Sequence, residues 1–395
     1  SHANMILVQI LVKDLFNMIK KIFFSSFLLI IMFCGCMTQN EITGSVAKLE
    51  TVEKVVDDTL FLKNPQVFCL ETKDNALIKR INRVIEWKNT YYILDKSMKQ
   101  VLAFNDKGRH LFTIHRVGIG KGEYGSILDI AIDRQNENLV FLADPTSLIY
   151  YDLQGNFIKT TKLQGYYHSI AIDNGVTYLE NATYINNQLS TSSITVIDPD
   201  NQKTELLKPL REIAPYCFIG GSRLNGTTPI VFTRKFDNTI YQLEDGKITP
   251  YYSFDFMNEN FPEAAKDKEY TCRELNKFTW DRYVYLMANV ANAPQYLMFS
   301  TNLFGVYVFD KTQNKLLKYN KIRNTGYQTD LHQYIPVEGA NNRVFFTVYP
   351  TTLFSLKAIV DNHPSFKDKM SDKLYKLTES LDSDSNPVIF SYQIK

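Results

Sequence analysis

The residues of this chain that could do chemistry are scattered, and their spacing limits what that chemistry would be. The six histidines are His2, His110, His115, His168, His332 and His363. None stands in a His-x-His or His-Glu-x-x-His pair, the spacings that present two imidazoles to one metal ion. Asp129, Asp133, Asp173 and Glu338 sit at strand ends, where carboxylates form turns more often than they hold metals. Gathered around one axis they would suit a metal-dependent lactonase or lyase, and this is the enzymatic alternative. The absence of a Gly-x-Ser-x-Gly elbow argues against a standard α/β-hydrolase. Gly118, Gly120 and Gly122 imitate a phosphate loop. The next element reads as the strand Ile127–Ile132 rather than a helix, and no Gly-Lys-Ser/Thr follows, so a flexible crossover is expected there. Cys69, Cys217 and Cys272 match no zinc spacing and include no Cys-x-x-Cys. One bridge among them is open in an oxidising compartment, and buried apolar cysteine is the expected state.

What remains is recognition. Arg116, Lys121, Glu123 and Tyr124 fall in one crossover between strands, and Tyr166, Tyr167 and His168 stand at the entry to another. Cations, an acid and rings carried on loops are the means by which a rigid scaffold meets a protein, peptide or glycan. These seven are the candidate ligand-binding residues. No cofactor and no metal is assigned. Lys plus Arg number 44 and Asp plus Glu 42, a net charge of +2, which leaves no electrostatic footprint for nucleic acid. The chain carries 26 Phe and 24 Tyr, and rings in such number suit half-buried strand surfaces.

The elements that must position these residues recur at a nearly fixed interval. A short apolar strand ends in an acid or amide with a tight turn close behind, at Asn105, Asp152, Asp198 and Glu244, spaced 47, 46 and 46 residues. The next marker is Asp310, delayed by an insertion over about 256–279 that reads as polar and partly helical. A period of 40–50 residues built from several short strands is the signature of a propeller blade. The strand Gln66–Leu70 and the last strand Val388–Ile394 are expected to share the final blade, joining the chain ends and leaving no open edge. Residues 361–384 of that blade have helical spacing, with Phe366, Met370, Leu374, Leu377 and Leu381 at three- and four-residue intervals. An alternative register would instead make 353–355 the third strand.

Residues 1–17 read as a leader. From Met18, Lys20 and Lys21 precede an apolar run over Ile22–Phe33, and Phe33-Cys34-Gly35-Cys36 resembles a bacterial lipobox. That makes 18–36 a lipoprotein signal peptide with Cys36 the acylated residue. A polar tether is expected over 37–58, where Asp58-Thr59-Leu60 is similar to a bacterial O-glycosylation acceptor. Val67-Phe68-Cys69-Leu70-Glu71-Thr72, Ile78-Lys79-Arg80-Ile81 and Tyr92-Ile93-Leu94-Asp95 resemble the opening of the six-bladed β-propeller lipoproteins of Gram-negative bacteria. Gly118–Tyr124 is similar to that family's glycine-rich turn, with Lys121 in place of its proline. The resemblance implies an NHL- or TolB-like propeller in the cell envelope and no established chemistry.

The expected molecule is therefore all-β. It is a six-bladed propeller of four-stranded antiparallel blades over 59–395, with a helical insertion before blade five and another in blade six. Its expected role is non-catalytic binding of a protein, peptide or glycan by a monomer held to the outer membrane through its lipid anchor.

Overall fold

The computed structural model describes residues 46–395 except 187, 211–212, 215–216, 218–220, 227 and 340–341. The leader, the signal peptide with Cys36 and the first part of the tether lie outside the described residues.

The fold is all-β, and its unit is a four-stranded antiparallel meander. Arg83–Trp87, Thr90–Asp95, Gln100–Asn105 and His110–Ile114 pair in that order. Ser126–Asp133, Asn138–Asp144, Ser147–Asp152 and Phe157–Lys162 repeat the pattern. So do Tyr167–Asp173, Val176–Asn181, Ile194–Ile197 and Lys203–Leu206. Leu224–Asn225, Ile230–Phe232, Thr239–Glu244 and Lys247–Asp255 form another such sheet. Met287–Asn292, Tyr296–Thr301, Val306–Asp310 and Lys315–Asn324 follow. The last sheet takes Tyr334–Glu338, Arg343–Val348 and Val388–Ile394 from the end of the chain and Leu62–Cys69 from near its start. Each sheet is named below by the first residue of its inner strand.

The spaced markers are turn formers. Asp152 Oδ1 accepts from the amides of Gln154 at 2.9 Å and Asn156 at 2.8 Å. Asp198 repeats this with Asp200 and Gln202, and Asn105 with Lys107 and Arg109. A short oxygen-bearing side chain that satisfies the amides ahead of it fixes the hairpin between third and outer strands. Burial pushes the Asp152 carboxyl up, but its donors, Asn156 first, outweigh burial and hold it below its ordinary value. Glu244 departs from the device, because its hairpin is the two-residue Asp245-Gly246 turn with both φ positive.

Inner strands of consecutive sheets lie side by side in a propeller-like arrangement. Val337 pairs in parallel with Val84, so the inner strand of the Tyr334 sheet meets that of the Arg83 sheet. Thr233 Oγ1 donates to Met287 O at 2.6 Å, tying the Leu224 and Met287 sheets. The cores lie between neighbouring sheets. Phe141, Tyr151, Tyr124 and Ile130 fill one, and Phe254, Phe256, Phe299 and Tyr307 fill another. Each ring buried there contributes about 1.5–3 kcal/mol. The expected join of the chain ends is present, with Leu62 opposite Ile394 and Cys69 opposite Val388.

Two expectations need correction. Residues 47–57 are not tether. Ala47–Asp57 is a strand that runs parallel to both Lys247–Asp255 and Lys315–Asn324, the outer strands of adjacent sheets, and covers both edges. Asp58-Thr59-Leu60 is accordingly a short 3-10 turn, with Asp58 buried and accepting from Tyr392 Oη at 2.8 Å and Thr325 Oγ1 at 3.0 Å. The alternative register fails as well, because 353–355 lie within the helix Pro350–Asn362. Pro350 suits a first helical turn and offers no N–H to a ladder, and Leu353 and Val360 are buried seven residues apart on one helix face. The helix Cys272–Thr279 begins at a reciprocal capping box between Thr271 and Glu274.

Candidate functional site

Where these sheets converge, the inner strands carry a buried charged cluster. Arg83 Nη1 bonds Asp129 Oδ2, and Arg83 Nη2 lies 2.6 Å from Glu338 Oε1. No side chain of the three is more than 5% exposed. Asp129 Oδ2 also accepts from Ile170 N at 2.9 Å, which adds a further inner strand. Gly226 completes the packing, since a Cβ there would stand 2.5 Å from Glu338 Oε2. One guanidinium thus serves two carboxylates. Burial pushes the Glu338 carboxyl up, and Arg83 only partly offsets it. Two of the acids expected as axial ligands are therefore committed to Arg83, and their role is to join blades. Asp133 and Asp173 close turns, Asp133 accepting from Asn136 N at 3.1 Å and Asp173 from Asn174 Nδ2 at 3.2 Å. Among the described residues no group of three or more His, Cys, Asp or Glu is placed to hold a metal ion.

The meander divides all connections between two ends. Hairpins from first to second and from third to outer strands share one end. Links from second to third strands, and from each outer strand to the next inner one, share the other. Every long connection is of the latter kind: the hairpin of Tyr184–Ile185 with Gln188–Leu189, the insertion after Asp255, and the helices Pro350–Asn362 and Asp372–Glu379. Exposed large apolar side chains follow the same division. Ile119, Tyr166, Leu210, Trp280, Phe304 and Phe366 all lie in these connections, with Ile119 105% and Trp280 79% exposed. The remaining exposed ones either share that end or belong to the N-terminal segment, ending at Leu60, or to the outer strands at Leu111 and Ile158. Among the described residues the short hairpins of the plain end expose none.

A small cleft lined by charged, hydroxyl and apolar side chains opens at the decorated end between the Tyr167 and Leu224 sheets. Glu180 and Arg223 pair across it at 2.5 Å. Arg234 is held by Asp237 Oδ2 at 2.6 Å, Lys208 O at 2.8 Å and Tyr241 Oη at 2.9 Å. Lys235 Nζ donates to Cys217 O at 2.7 Å, and Ser192 and Ser193 complete the wall. Three cations against Glu180 and Asp237, with hydroxyls alongside, give a surface suited to carboxylate- and hydroxyl-bearing groups.

All seven candidate binding residues fall at this end, but not all reach solvent. Arg116, Lys121, Glu123 and Tyr166 are exposed and His168 is half-buried. Tyr124 is a correction. It is fully buried, its hydroxyl donates to Lys99 O at 3.1 Å and accepts from Arg116 N at 3.1 Å, and burial pushes it up to about 12. Tyr167 is a second, buried with its hydroxyl donating to Gln164 O at 2.6 Å. Both rings brace their loops from beneath. Glu123 is exposed yet works within its own turn, accepting from Gly120 N at 2.8 Å, where Gly118 leaves room for the carboxylate. Lys121 Nζ lies 5.6 Å from the Phe157 ring centroid.

The sequence matches a family model, DUF4934, over residues 50–393. The chain belongs to the DUF4934 family, a domain of unknown function. No curated protein matches it. A Bacteroides fragilis protein named as exported is similar in structure to this DUF4934 chain, with a TM-score of 0.73 at 18% identity, covering 89% of this chain and 100% of that one. A DUF4221 member from Bacteroides vulgatus aligns with a TM-score of 0.46 at 10% identity, covering 85% and 97%. Virginiamycin B lyase from Staphylococcus aureus aligns with a TM-score of 0.41 at 13% identity, covering 72% and 81%. The first of these shares the DUF4934 fold, and the other two are too distant to carry argument.

Sequence reasoning missed Arg83 and the cleft residues Arg223, Arg234 and Lys235. A signal for Arg83 existed, because an arginine opening the apolar run Arg83-Val84-Ile85 requires a buried acid. The cleft had none, since its lining comes from several short segments scattered over residues 180–235.

Proposed function

We propose that this DUF4934 protein is a six-bladed β-propeller of the cell envelope. On this reading it is lipid-anchored through Cys36, acts as a monomer, and binds a protein, peptide or glycan without catalysis at its decorated end. The observation that carries this is the sorting of exposed apolar side chains to one end. A soluble fold gains nothing from a fully exposed Ile119 and a largely exposed Trp280, and such patches mark interaction sites. The four-stranded sheets, the join of the chain ends and the likeness to a protein named as exported support the blade number and the location. The helical stretches act as insertions that enlarge the binding face. The lactonase or lyase alternative is disfavoured by Arg83, whose guanidinium neutralises one oxygen each of Asp129 and Glu338 where a metal would need them.

The test is capture from envelope extract by the immobilised full chain and by an Ile119→Ser/Tyr166→Ser/Trp280→Ser variant. A species retained by the native chain and lost from the variant, whose melting temperature is unchanged, is the expected result. Identical capture by both refutes the placement. For the anchor, incorporation of a labelled fatty acid should vanish in Cys36→Ser, and labelling that persists would refute it.

A further inference from the structure

The loops at the decorated end hold two cysteines in one apolar cluster. Cys217 lies in the connection into the Leu224 sheet, and Cys272 opens the helix Cys272–Thr279 in the connection into the Met287 sheet. Both pack in one apolar cluster with Ile213, Phe261, Leu275 and Tyr285. One backbone bond brings their segments together, and a second folds the Cys217 segment on itself. Tyr270 N donates to Ile213 O at 2.8 Å, and Cys217 N turns back onto Ala214 O at 3.1 Å. Cys272 therefore follows the crossing point by two residues, and Cys217 by four. The Tyr285 phenol registers both neighbours. Burial pushes it up, and Cys217 and then Cys272 push it further. Cys69 is elsewhere, on the closing strand, packed with the cluster of Tyr334 and Phe390.

We propose that Cys217 and Cys272 form a disulfide when the chain meets an oxidising compartment. The setting rests on the envelope reading above, whereas the pairing rests on the packing alone. The oxidant is an external disulfide. The thiolate of one cysteine attacks it, forming a mixed disulfide and expelling one thiolate. The thiolate of the other cysteine then attacks the protein sulfur of the mixed disulfide and expels the second. Two cysteine thiols become one disulfide, the external disulfide becomes two thiols, and the two protons pass to the released thiolates. The bond fastens the insertion that carries Trp280 to the connection whose Pro209 and Leu210 line the cleft. It thereby stiffens the proposed binding face at the insertion after Asp255.

The purified full chain is incubated with oxidised glutathione, alkylated, digested without reductant and mapped by mass spectrometry. The expected product is a linked Cys217–Cys272 peptide pair with Cys69 alkylated. Cys69→Ser should form the same pair, and neither Cys217→Ser nor Cys272→Ser should. Hydrogen exchange in 256–284 should slow on oxidation of the native chain and remain unchanged in Cys217→Ser. A bridge to Cys69, or alkylation of all three thiols after oxidation, overturns the pairing. Protein alkylated directly in cells separates the two readings. A pair that forms in glutathione but is absent in cells overturns the envelope setting and leaves the pairing standing.

Discussion

Replacing Arg83 with Met should be among the most damaging single changes available in the ring. Arg83 is the only cation in the buried cluster with Asp129 and Glu338, and the methionine that replaces it leaves two carboxylates facing each other out of water. Removing one partner of a buried pair costs about 3–5 kcal/mol. At the entropy of unfolding of a domain this size, that is a fall in melting temperature of about 4–7 °C. The deficit should depend on pH, and its sign follows from Glu338. Its folded pKa is raised above the unfolded value, first by burial. The stability it contributes is therefore fully present below the unfolded pKa and is lost as pH rises through the folded one. Without Arg83 the shift grows, so the gap between variant and native chain should be wide at pH 7.5 and narrow at pH 5. Guanidinium unfolding at the two pH values measures it, and Arg83→Met/Glu338→Gln should recover part of the loss at pH 7.5. A variant within about 1 kcal/mol of the native chain, or a deficit equal at both pH values, would show that the cluster is not the electrostatic centre described here.

Three further outcomes are expected. Asn386→Leu removes acceptance from Ile78 N at 2.8 Å and donation to Glu71 O and Ala76 O at 2.9 and 2.6 Å. It should lower stability by about 2–3 kcal/mol, read as a urea midpoint, because buried backbone groups lose their partner. Burial lowers Lys311 to about 8, and its ammonium donates to neutral oxygens, Asn292 Oδ1 at 2.6 Å and Ala293 O. Above that pH the unfolded chain binds more protons, so native stability should gain from this group between pH 8 and 9.5 relative to Lys311→Met, and parallel profiles would refute it. A chain that starts at Asp58 loses the strand Ala47–Asp57 and bares two outer edges, so light scattering should report self-association that the full chain does not show.

The sequence made the repeating unit readable because its period is fixed by local chemistry. A strand that ends in Asp152 or Asp198 needs that side chain to make its own turn, whatever lies across the sheet. The join of Leu62–Cys69 to Val388–Ile394 was readable because unpaired edges at both chain ends demand it. The strand Ala47–Asp57 was hidden because it belongs to no repeat and pairs with residues roughly two hundred and more positions away. Tyr124 and Tyr167 were misjudged for a related reason. A ring beside loop residues looks available in one dimension, and only the packing of Tyr124 with Phe141, or the bond from Tyr167 Oη to Gln164 O, shows that it faces inward. The cleft of Arg223, Arg234 and Lys235 depends on two sheets meeting, which no local pattern records.

The buried cluster also bears on where recognition can occur. In a ring of sheets the axis is the one place where every inner strand converges, and propellers with axial chemistry keep it polar and open. Here Arg83 bridges Asp129 and Glu338 across converging inner strands, and Gly226 yields its side chain so that Glu338 fits. A ligand entering there would have to displace a guanidinium from two acids in low dielectric, with a cost that few small molecules could offset. Among the described residues the plain end offers short hairpins without exposed large apolar side chains. On the proposed reading recognition falls to the decorated end, where loops can change in length and apolar content without disturbing the ladders beneath. The rings of Tyr124 and Tyr167, closed off from any ligand, gain their importance here: they hold the loops bearing Ile119 and Tyr166 in one shape, and a preformed loop spends less binding energy on ordering when a partner arrives.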